Sequence, residues 1–270
     1  MTPIIQRVPE CRSTSAVLAA MPDAPHGTVV VTDRQTAGRG QRGNSWEAQP
    51  GANLTFSLLL RPQAIPAARQ FELSMIVALE VAACVRRALA GAADAPRVCV
   101  KWPNDINVGD RKIAGILIEN SLSGSGIERS IAGIGLNVNQ RRFLSDAPNP
   151  TSIIHYTGTL TPLAPLLETL CTSILNALER YETAIAASAS GARDGSASRS
   201  DSAGVPGGSG AREALLARYR AELWRGEGEH PFHEPGGATF RASIASIAPD
   251  GTLTLSTGKT YAFKEIVFEL

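Results

Sequence analysis

The sequence predicts an α+β fold, and three patterns along the chain lead to that prediction. In the first half of the chain, short apolar runs that read as strands alternate with turn residues. Two longer segments place apolar residues at helical spacing. From residue 240 onward the apolar residues recur with period two. We therefore expect a larger domain over residues 1–225, followed by a small antiparallel β domain over residues 226–270.

The predicted strands of the larger domain are short and apolar, and turn residues separate them. Residues 70–89 carry apolar side chains at helical spacing, and their alanine and valine content suits packing on a sheet. Gly109 and Asp110 form the turn of a predicted β-hairpin. The strand predictions are residues 28–32, 54–60, 106–108, 111–119 and 130–139.

The second half of the chain contains two further helical patterns, over residues 163–186 and 212–224. Between them, residues 189–210 are rich in Ser, Gly and Ala and contain almost no large apolar side chains. Such a composition cannot bury enough apolar surface to fold, so we expect a disordered insertion there. In the C-terminal part, turns at 249–251 and 257–259 divide a period-two pattern into a small antiparallel sheet.

A basic glycine loop, G-R-G-Q-R-G at residues 38–43, joins the first two of these predicted strands. Glycines allow the backbone to approach a ligand closely, and arginines add positive charge, so the loop suits a carboxylate or a phosphate. A dinucleotide fingerprint would need a helix directly after the glycines, and a strand follows here. A protein-kinase loop would need H-R-D and D-F-G triplets elsewhere, and the chain has neither.

The hairpin contributes a second basic group. Arg111 and Lys112 open its returning strand, and alternation places their side chains on opposite faces, so one of them can face a pocket. Gly115 interrupts this strand, which usually marks a bulge or a close approach of the backbone to a ligand. The next predicted strand ends with the amides Asn137 and Asn139, which can donate to phosphate oxygens.

Four segments, in the same order, resemble the catalytic domain of biotin protein ligases, which activate biotin with ATP and attach it to a lysine of a carrier protein. The segments are S-T at 13–14, Q-T-A-G-R-G at 35–40 with Trp46, K-W-P-N-D at 101–105 and R-K-I-A-G-I-L at 111–117. The resemblance implies a class II synthetase-like domain with a mixed sheet flanked by helices. It also implies that the C-terminal β domain is an SH3-like barrel.

The resemblance implies a role for each matching residue. Lys112 would bridge the biotin carboxylate and the α-phosphate during adenylation, and Arg39 would add catalytic positive charge. The nucleotide would lie against Arg42, Lys101, Asn104, Asp105 and Asn137. The biotin-binding residues would be Ser13, Thr14, Ser15, Gln35, Gly38, Arg39, Gly40, Gln41, Trp46, Lys112 and Gly115.

Simpler interpretations of these residues remain open. Ser13 and Thr14 suit a helix N-cap, Trp46 suits an ordinary core, and the Pro-Asn-Asp sequence around Asn104 is common turn chemistry. Lys112 on its own would be a solvated lysine of a hairpin. The sequence departs from the usual family pattern at Ser15, where asparagine is common, and at Gln41 and Asn44, where arginine is common.

The resemblance implies ATP and Mg²⁺ as cosubstrate and cofactor, no tightly bound prosthetic group, and a biotin carboxyl carrier protein as partner. No winged helix-turn-helix precedes the motifs, and the net charge is +1, so we expect a ligase that does not bind nucleic acid. Four scattered cysteines indicate neither a zinc site nor a disulfide framework. We expect a cytoplasmic protein without a membrane segment or a resident metal, as a monomer or weak homodimer.

Two other functions remain open from the sequence. A lipoate ligase or octanoyltransferase shares the catalytic fold and takes a different acyl group. A biotin-sensing regulator without catalysis would keep the pocket at Gln35 and would have no need of Lys112. The basic glycine loop and the K-W-P-N-D block favour the biotin ligase.

Overall fold

In the computed structural model, which describes residues 1–38, 46–144, 149–191 and 209–269, the larger domain is built on a seven-stranded sheet. The strand order is β1-β2-β3-β7-β6-β5-β4. Only β1 and β2 pair in parallel, so the sheet is mixed, as expected. Its strands are β1 (Ile4–Cys11), β2 (Thr28–Gln35), β3 (Leu54–Leu60), β4 (Val98–Lys101), β5 (Asp105–Val108), β6 (Arg111–Ser123) and β7 (Gly126–Leu136).

The main hydrophobic core lies between one face of this sheet and the longer helices. Alternate residues of β3, such as Phe56 and Leu58, are fully buried in it. On the helical side, Phe71 and Tyr219 meet edge to face with their ring centroids 5.7 Å apart. The helices are α1 (Thr14–Ala19), α2 (Phe71–Ala88), α3 (Ile153–Thr157), α4 (Leu163–Gly191) and α5 (Ser209–Ala221).

The opposite face of the sheet is only partly covered. Leu18 of α1 packs there on Val30, Leu59 and Ile131 in a small second core. Beyond α1 the same face changes character, because β3 contributes Thr55 and Ser57 and β7 contributes Gly133 and Gly135. Small residues at the centre of a sheet let other groups approach its backbone closely. This part of the face positions the site described below.

The C-terminal region forms two three-stranded antiparallel sheets, which confirms the expected small β domain. The sequence predicted a continuous alternating run over residues 240–247. This detail was wrong: the run divides into two strands that belong to different sheets. One sheet has the order β13-β8-β9 and the other β10-β11-β12, with β8 (His230–His233), β9 (Phe240–Ala242), β10 (Ile244–Ile247), β11 (Leu253–Leu255), β12 (Thr260–Tyr261) and β13 (Val267–Phe268).

The helices around the predicted insertion are longer at its borders than the sequence indicated. Residues 189–191 continue α4, and α5 begins at residue 209, so the two ends of the expected disordered segment 189–210 are helical. Residues 192–208 lie outside the described residues. At its far end α5 stops at Ala221, three residues before the predicted end, and the next residues pair with the sheet edge.

A buried ionic cluster ties α5 to α2. Glu72, only 1 % exposed, is paired with Arg69, and Arg212 Nε lies 3.5 Å from Glu72 Oε1. A carboxylate this deeply buried needs charged partners. The cluster therefore fixes the start of α5 against the main core. Among the helices in the described ranges, none is both long enough and apolar enough to cross a membrane.

Candidate functional site

The part of the sheet face next to α1 carries a chain of hydrogen bonds at one end. Gln35 Oε1 accepts from the backbone N–H of Thr14 at 2.9 Å, and the hydroxyl of Thr14 lies 2.8 Å from that of Ser57. The hydroxyl of Ser15 lies 2.9 Å from the same Ser57 atom. Ser13 caps α1, since its hydroxyl accepts from Ala16 N at 3.4 Å. The capping interpretation is thus confirmed, and it leaves this end rich in donors and acceptors.

The indole of Trp46 lies over a floor of glycines in the middle of the site. A Cβ atom on Gly135 would lie 2.6 Å from Trp46 Nε1, and one on Gly115 would lie 3.1 Å from the ring. Real Cβ atoms do not approach as closely as the Gly135 distance, so the ring occupies this position only because residue 135 is glycine. At Gly115 a Cβ atom would make an unusually tight contact with the same ring. The backbone N–H of Trp46 donates to Gly38 O at 3.2 Å, which joins the ring to the chain that follows Gln35.

A positively charged end lies beyond the ring. Lys112 Nζ is 2.7 Å from Asp105 Oδ1 and 5.8 Å from the centroid of the Trp46 ring. Both charged side chains are partly buried: that of Lys112 is 32 % exposed and that of Asp105 is 22 % exposed. Lys112 also borders Gly115. We call the whole surface the central site: Ser13, Thr14, Ser15, Gln35, Gly38, Trp46, Ser57, Asp105, Lys112, Gly115, Gly133 and Gly135.

A β-bulge directs Lys112 into the central site. Ile106 pairs with Ala114 while Asn107 pairs with Lys112, so Ile113 is an extra residue in β6. Ile113 and Ala114 are both buried in the main core. With regular alternation Lys112 would share the face of Ala114; the bulge brings it to the face of Asp105. The sequence predicted a bulge or a close approach of the backbone to a ligand at Gly115; the bulge lies instead at Ile113, and Gly115 pairs regularly and lies close to Trp46.

Lys101 lies next to this pair, directly opposite Asp105 in the β4–β5 ladder. Burial lowers the pKa of the Lys101 ammonium, and the negative charge of Asp105 opposes that shift. The charge of Lys112 lowers the same pKa further. The described residues thus place two cations beside one carboxylate, an arrangement that attracts anions.

The backbone of Lys112 is held by a neighbouring segment. Its N–H donates to Asn149 O at 2.9 Å, and its carbonyl accepts from Thr151 N at 2.8 Å. Asn137 donates its side-chain amide to Thr151 O at 3.0 Å. Asn137 Oδ1 is buried and has no hydrogen-bond partner among the described residues. A buried acceptor without a partner is costly and indicates a position where a ligand can donate.

Asn104 is placed differently from the other predicted nucleotide residues. Its side-chain amide donates to Ile116 O at 2.7 Å. It also lines a cavity of about 200 Å³, open to solvent, whose other walls include Trp102, Phe263 and Gly251. In this conformation Asn104 therefore stabilises the turn before β5, as the turn interpretation predicts. Four predicted residues, Arg39, Gly40, Gln41 and Arg42, lie outside the described residues.

The sequence interpretation missed Ser57, Gly133 and Gly135. The signal for Ser57 is a single hydroxyl inside the apolar run of β3. The signal for Gly133 and Gly135 is that they alternate within β7, so both reach the same face. Across the described ranges, no group of three or more His, Cys, Asp or Glu side chains is arranged to hold a metal ion.

The site can bind an elongated ligand that has a polar head and an acidic end. Hydroxyls and an amide suit a polar ring at one end, the indole and the glycine floor suit an apolar middle, and Lys112 suits an anion. Fixed cations at a partly buried position lower the cost of bringing two negative groups together. The geometry suits a ligand that carries an acid group.

Comparisons with known proteins agree with this geometry. Residues 10–137 match the Biotin/lipoate A/B protein ligase family. The biotin--[acetyl-CoA-carboxylase] ligase of Paracoccus denitrificans is 40 % identical over 129 residues, which are 47 % of this chain and 51 % of that protein. The bifunctional ligase/repressor BirA of Bacillus subtilis is 40 % identical over 119 residues, or 44 % of this chain and 35 % of the relative. The aligned part thus spans about a third to a half of these relatives' lengths.

Solved structures extend the likeness in fold to the whole chain. The biotin protein ligase of Aquifex aeolicus in complex with biotin and ATP superposes with a TM-score of 0.72 at 22 % identity, covering 98 % of both chains. The biotin protein ligase of Leishmania major in complex with biotinyl-5-AMP superposes with a TM-score of 0.62 at 22 % identity. The superposition covers 96 % of this chain and 98 % of that one. The chain therefore has the biotin protein ligase fold, and its residues 10–137 match the model of the Biotin/lipoate A/B protein ligase family.

Proposed function

We propose that this protein is an ATP-dependent biotin protein ligase, which converts biotin to biotinyl-5'-AMP and transfers the biotinyl group to a lysine of a biotin carboxyl carrier protein. One observation carries the proposal: Gln35, Trp46 and Lys112 lie in this order along one glycine-floored site. The names of the similar ligase from Paracoccus denitrificans and of the biotin- and ATP-bound Aquifex aeolicus structure support the choice of substrates.

Each part of the central site would contact a different part of the biotin molecule. Gln35 and the hydroxyls of Ser57 and Ser15 suit the ureido ring, which both donates and accepts hydrogen bonds. The ring sulfur and the aliphatic tail would lie along the indole of Trp46, which itself packs on the glycine floor. The biotin carboxylate would then meet Lys112, whose ammonium leaves Asp105 or is shared with it.

The first half-reaction joins two anions. A carboxylate oxygen of biotin attacks the α-phosphorus of ATP, the bond from this phosphorus to the bridging oxygen breaks, and pyrophosphate leaves. Lys112 and Lys101 offset the repulsion between the carboxylate and the phosphates, and Arg39 and Arg42 are predicted to add to that charge. Mg²⁺ would arrive with the phosphates of ATP and neutralise part of their charge, with Asp105 as a carboxylate beside them.

In the second half-reaction the amine of the carrier lysine attacks the acyl carbonyl of biotinyl-AMP. An amide bond forms, AMP leaves with the bonding electron pair, and the nitrogen loses a proton. Carbonyl attack needs the neutral amine, so the carrier lysine has to be deprotonated before or during the step. The two half-reactions together account for every bond made and broken.

The proposal also includes the domain boundaries, the cellular location and the oligomeric state of the protein. We place the catalytic unit at residues 1–225 and the small β domain at 226–270. The use of ATP and the four unpaired cysteines support a cytoplasmic location. We expect a monomer or weak homodimer that binds no nucleic acid, which size-exclusion chromatography and a salt-controlled DNA-binding assay would test.

Transfer to a carrier domain tests the proposed function. The purified chain would be incubated with ATP, Mg²⁺, biotin and a biotin carboxyl carrier domain, and the carrier's mass would be measured. We expect one biotinyl group on the wild-type carrier and none on a carrier whose acceptor lysine is changed to arginine. Parallel reactions with lipoate and a lipoyl carrier domain separate the alternative: lipoylation without biotinylation would overturn the proposal.

A further inference from the structure

Residues 222–224 extend the sheet beyond its edge strand β4. Val100 donates its N–H to Glu222 O at 2.8 Å, and Trp224 donates its N–H to Val100 O at 2.8 Å, as in a parallel ladder. These residues link α5 to the first strand of the C-terminal domain. The backbone pairing therefore fixes Trp224 beside the next residue of β4, which is Lys101.

The indole of Trp224 connects three parts of the molecule. Its N–H donates to Asp110 Oδ1, in the turn between β5 and β6, at 2.9 Å. The Lys101 ammonium lies 5.0 Å from the ring centroid. The ring also packs on Phe268 of the C-terminal sheet, with centroids 5.6 Å apart, and on the Arg225 guanidinium at 4.2 Å. Only 5 % of Trp224 is exposed, so the ring position is fixed from several sides.

These contacts restrict the Lys101 side chain. A lysine has many rotamers, and holding its ammonium in one place costs conformational entropy. An aromatic ring within 6 Å attracts the ammonium and favours one position, most strongly where water is partly excluded. Burial lowers the pKa of Lys101, which is in keeping with a sheltered position. Its neighbours there are Asp105 and Lys112 of the central site.

We propose that Trp224 is a positioning residue that holds the Lys101 ammonium at the anion-binding end of the central site. This inference rests on the proposed function, because it assigns the held charge to ATP. It also gives the C-terminal domain a part in nucleotide use, since Phe268 supports the indole from that domain.

Steady-state kinetics of biotinyl-AMP formation with a double-mutant cycle tests the proposal. Trp224→Leu removes the ring, Trp224→Phe keeps an aromatic face, and Lys101→Met removes the charge that the ring would hold. We expect Trp224→Leu to raise the KM for ATP about fivefold or more while the KM for biotin changes less than twofold. Trp224→Phe should stay within about threefold of wild type. Phe240→Leu serves as the control for lost packing, because its ring packs on Phe232 of the same C-terminal sheet, and its KM for ATP should stay within about twofold.

The decisive comparison is made in the Lys101→Met background. If Trp224 acts through Lys101, adding Trp224→Leu there leaves the KM for ATP unchanged. Additive effects of the two substitutions would overturn the proposal and show that Trp224 only packs. Should Trp224→Leu fail to fold, Asp110→Ala replaces it and is compared with Asp110→Asn. Asp110 is exposed and accepts the indole N–H, but its charge also acts on Lys101 directly, and asparagine removes that charge while keeping an acceptor. The alanine variant should have a KM for ATP about twofold to threefold above that of the asparagine variant, and this difference should vanish without Lys101; a difference that persists, or none at all, would overturn the proposal.

The wild-type reaction separates the two proposals. If the wild-type chain forms no biotinyl-AMP, the proposed function fails, and the positioning role fails with it. If the wild-type chain is active and the cycle is additive, only the positioning role is rejected.

Discussion

Lys112 Nζ lies 2.7 Å from Asp105 Oδ1, and the two side chains share a face of the sheet because Ile113 is an extra residue in β6. The carboxylate holds the ammonium in place while no substrate is bound. It also gives the partly buried ammonium a partner of opposite charge, which lowers the cost of burying it. The pair is thus a fixed cation that an incoming anion can engage with little reorganisation.

Replacing Lys112 should affect chemistry far more than folding. We expect Lys112→Ala to slow biotinyl-AMP formation by about a hundredfold or more, the usual cost of removing a group aimed at developing charge. Lys259→Ala is the matched control, because Lys259 is an exposed lysine that also pairs with a carboxylate, that of Glu234. Pyrophosphate release by the Lys112 variant at the wild-type rate would disprove the assigned role.

The glycine floor should be sensitive to a single methyl group. Gly135→Ala would place a Cβ atom 2.6 Å from Trp46 Nε1, so the indole has to move. We expect biotin affinity, measured by calorimetry, to fall about tenfold or more, or about 1.4 kcal/mol. Gly91→Ala is the control, since a Cβ atom there meets nothing within 4 Å. Equal biotin affinity in the Gly135 variant would show that Trp46 does not border the ligand.

Much of the fold follows from local sequence patterns, and the exceptions have physical causes. The helix α2 and the strand β3 agree with the predicted segments within one residue because their apolar spacing is regular. The strand β1 was missed because it lies at the sheet edge with most of its residues exposed, so no face imposes an alternating pattern. Residues 240–247 divide between two sheets at Ser243, and alternation alone does not show where a strand changes its partner.

Sequence patterns likewise predicted some residues of the central site and missed others. Thr14, Gln35, Trp46 and Lys112 come together as the motif order predicted. Ser57 joins them through tertiary pairing, which a single residue in an apolar run does not reveal. Trp224 was read as the end of a helix; its position beside Lys101 depends on a backbone ladder formed after that helix ends.

The buried carboxylate of Glu72 should be important for stability. Glu72→Ala removes the buried carboxylate that pairs with Arg69 and Arg212, and we expect a loss of about 3 kcal/mol or more in the free energy of unfolding. Asp33→Ala breaks the exposed pair with Arg7 and should cost about 1 kcal/mol or less. Urea denaturation of both variants measures the difference, and equal losses would contradict the role of burial.

The Cys99 thiol should make stability depend on alkaline pH. Burial raises its pKa from 9.0 to about 11. Between these values the unfolded chain loses the thiol proton while the folded protein keeps it. The unfolded state then binds fewer protons, so the free energy of unfolding falls as the pH rises from 9.0 to about 11.

Cys99→Ala removes this contribution and leaves the other titrating groups in place. The stability advantage of wild type over the variant should therefore shrink across that pH range. Urea denaturation of both proteins at several pH values measures it. An advantage that stays constant with pH would show that the thiol titrates alike in both states.

The most direct measurement is the mass of the acyl-adenylate formed when the wild-type chain and Lys112→Ala are incubated with ATP, Mg²⁺ and either biotin or lipoate. The proposed site predicts biotinyl-AMP and pyrophosphate from the wild-type chain, little from the Lys112 variant, and no lipoyl-AMP at the same enzyme concentration. Lipoyl-AMP without biotinyl-AMP, or no acyl-adenylate from a folded wild-type chain that binds biotin, would contradict the account.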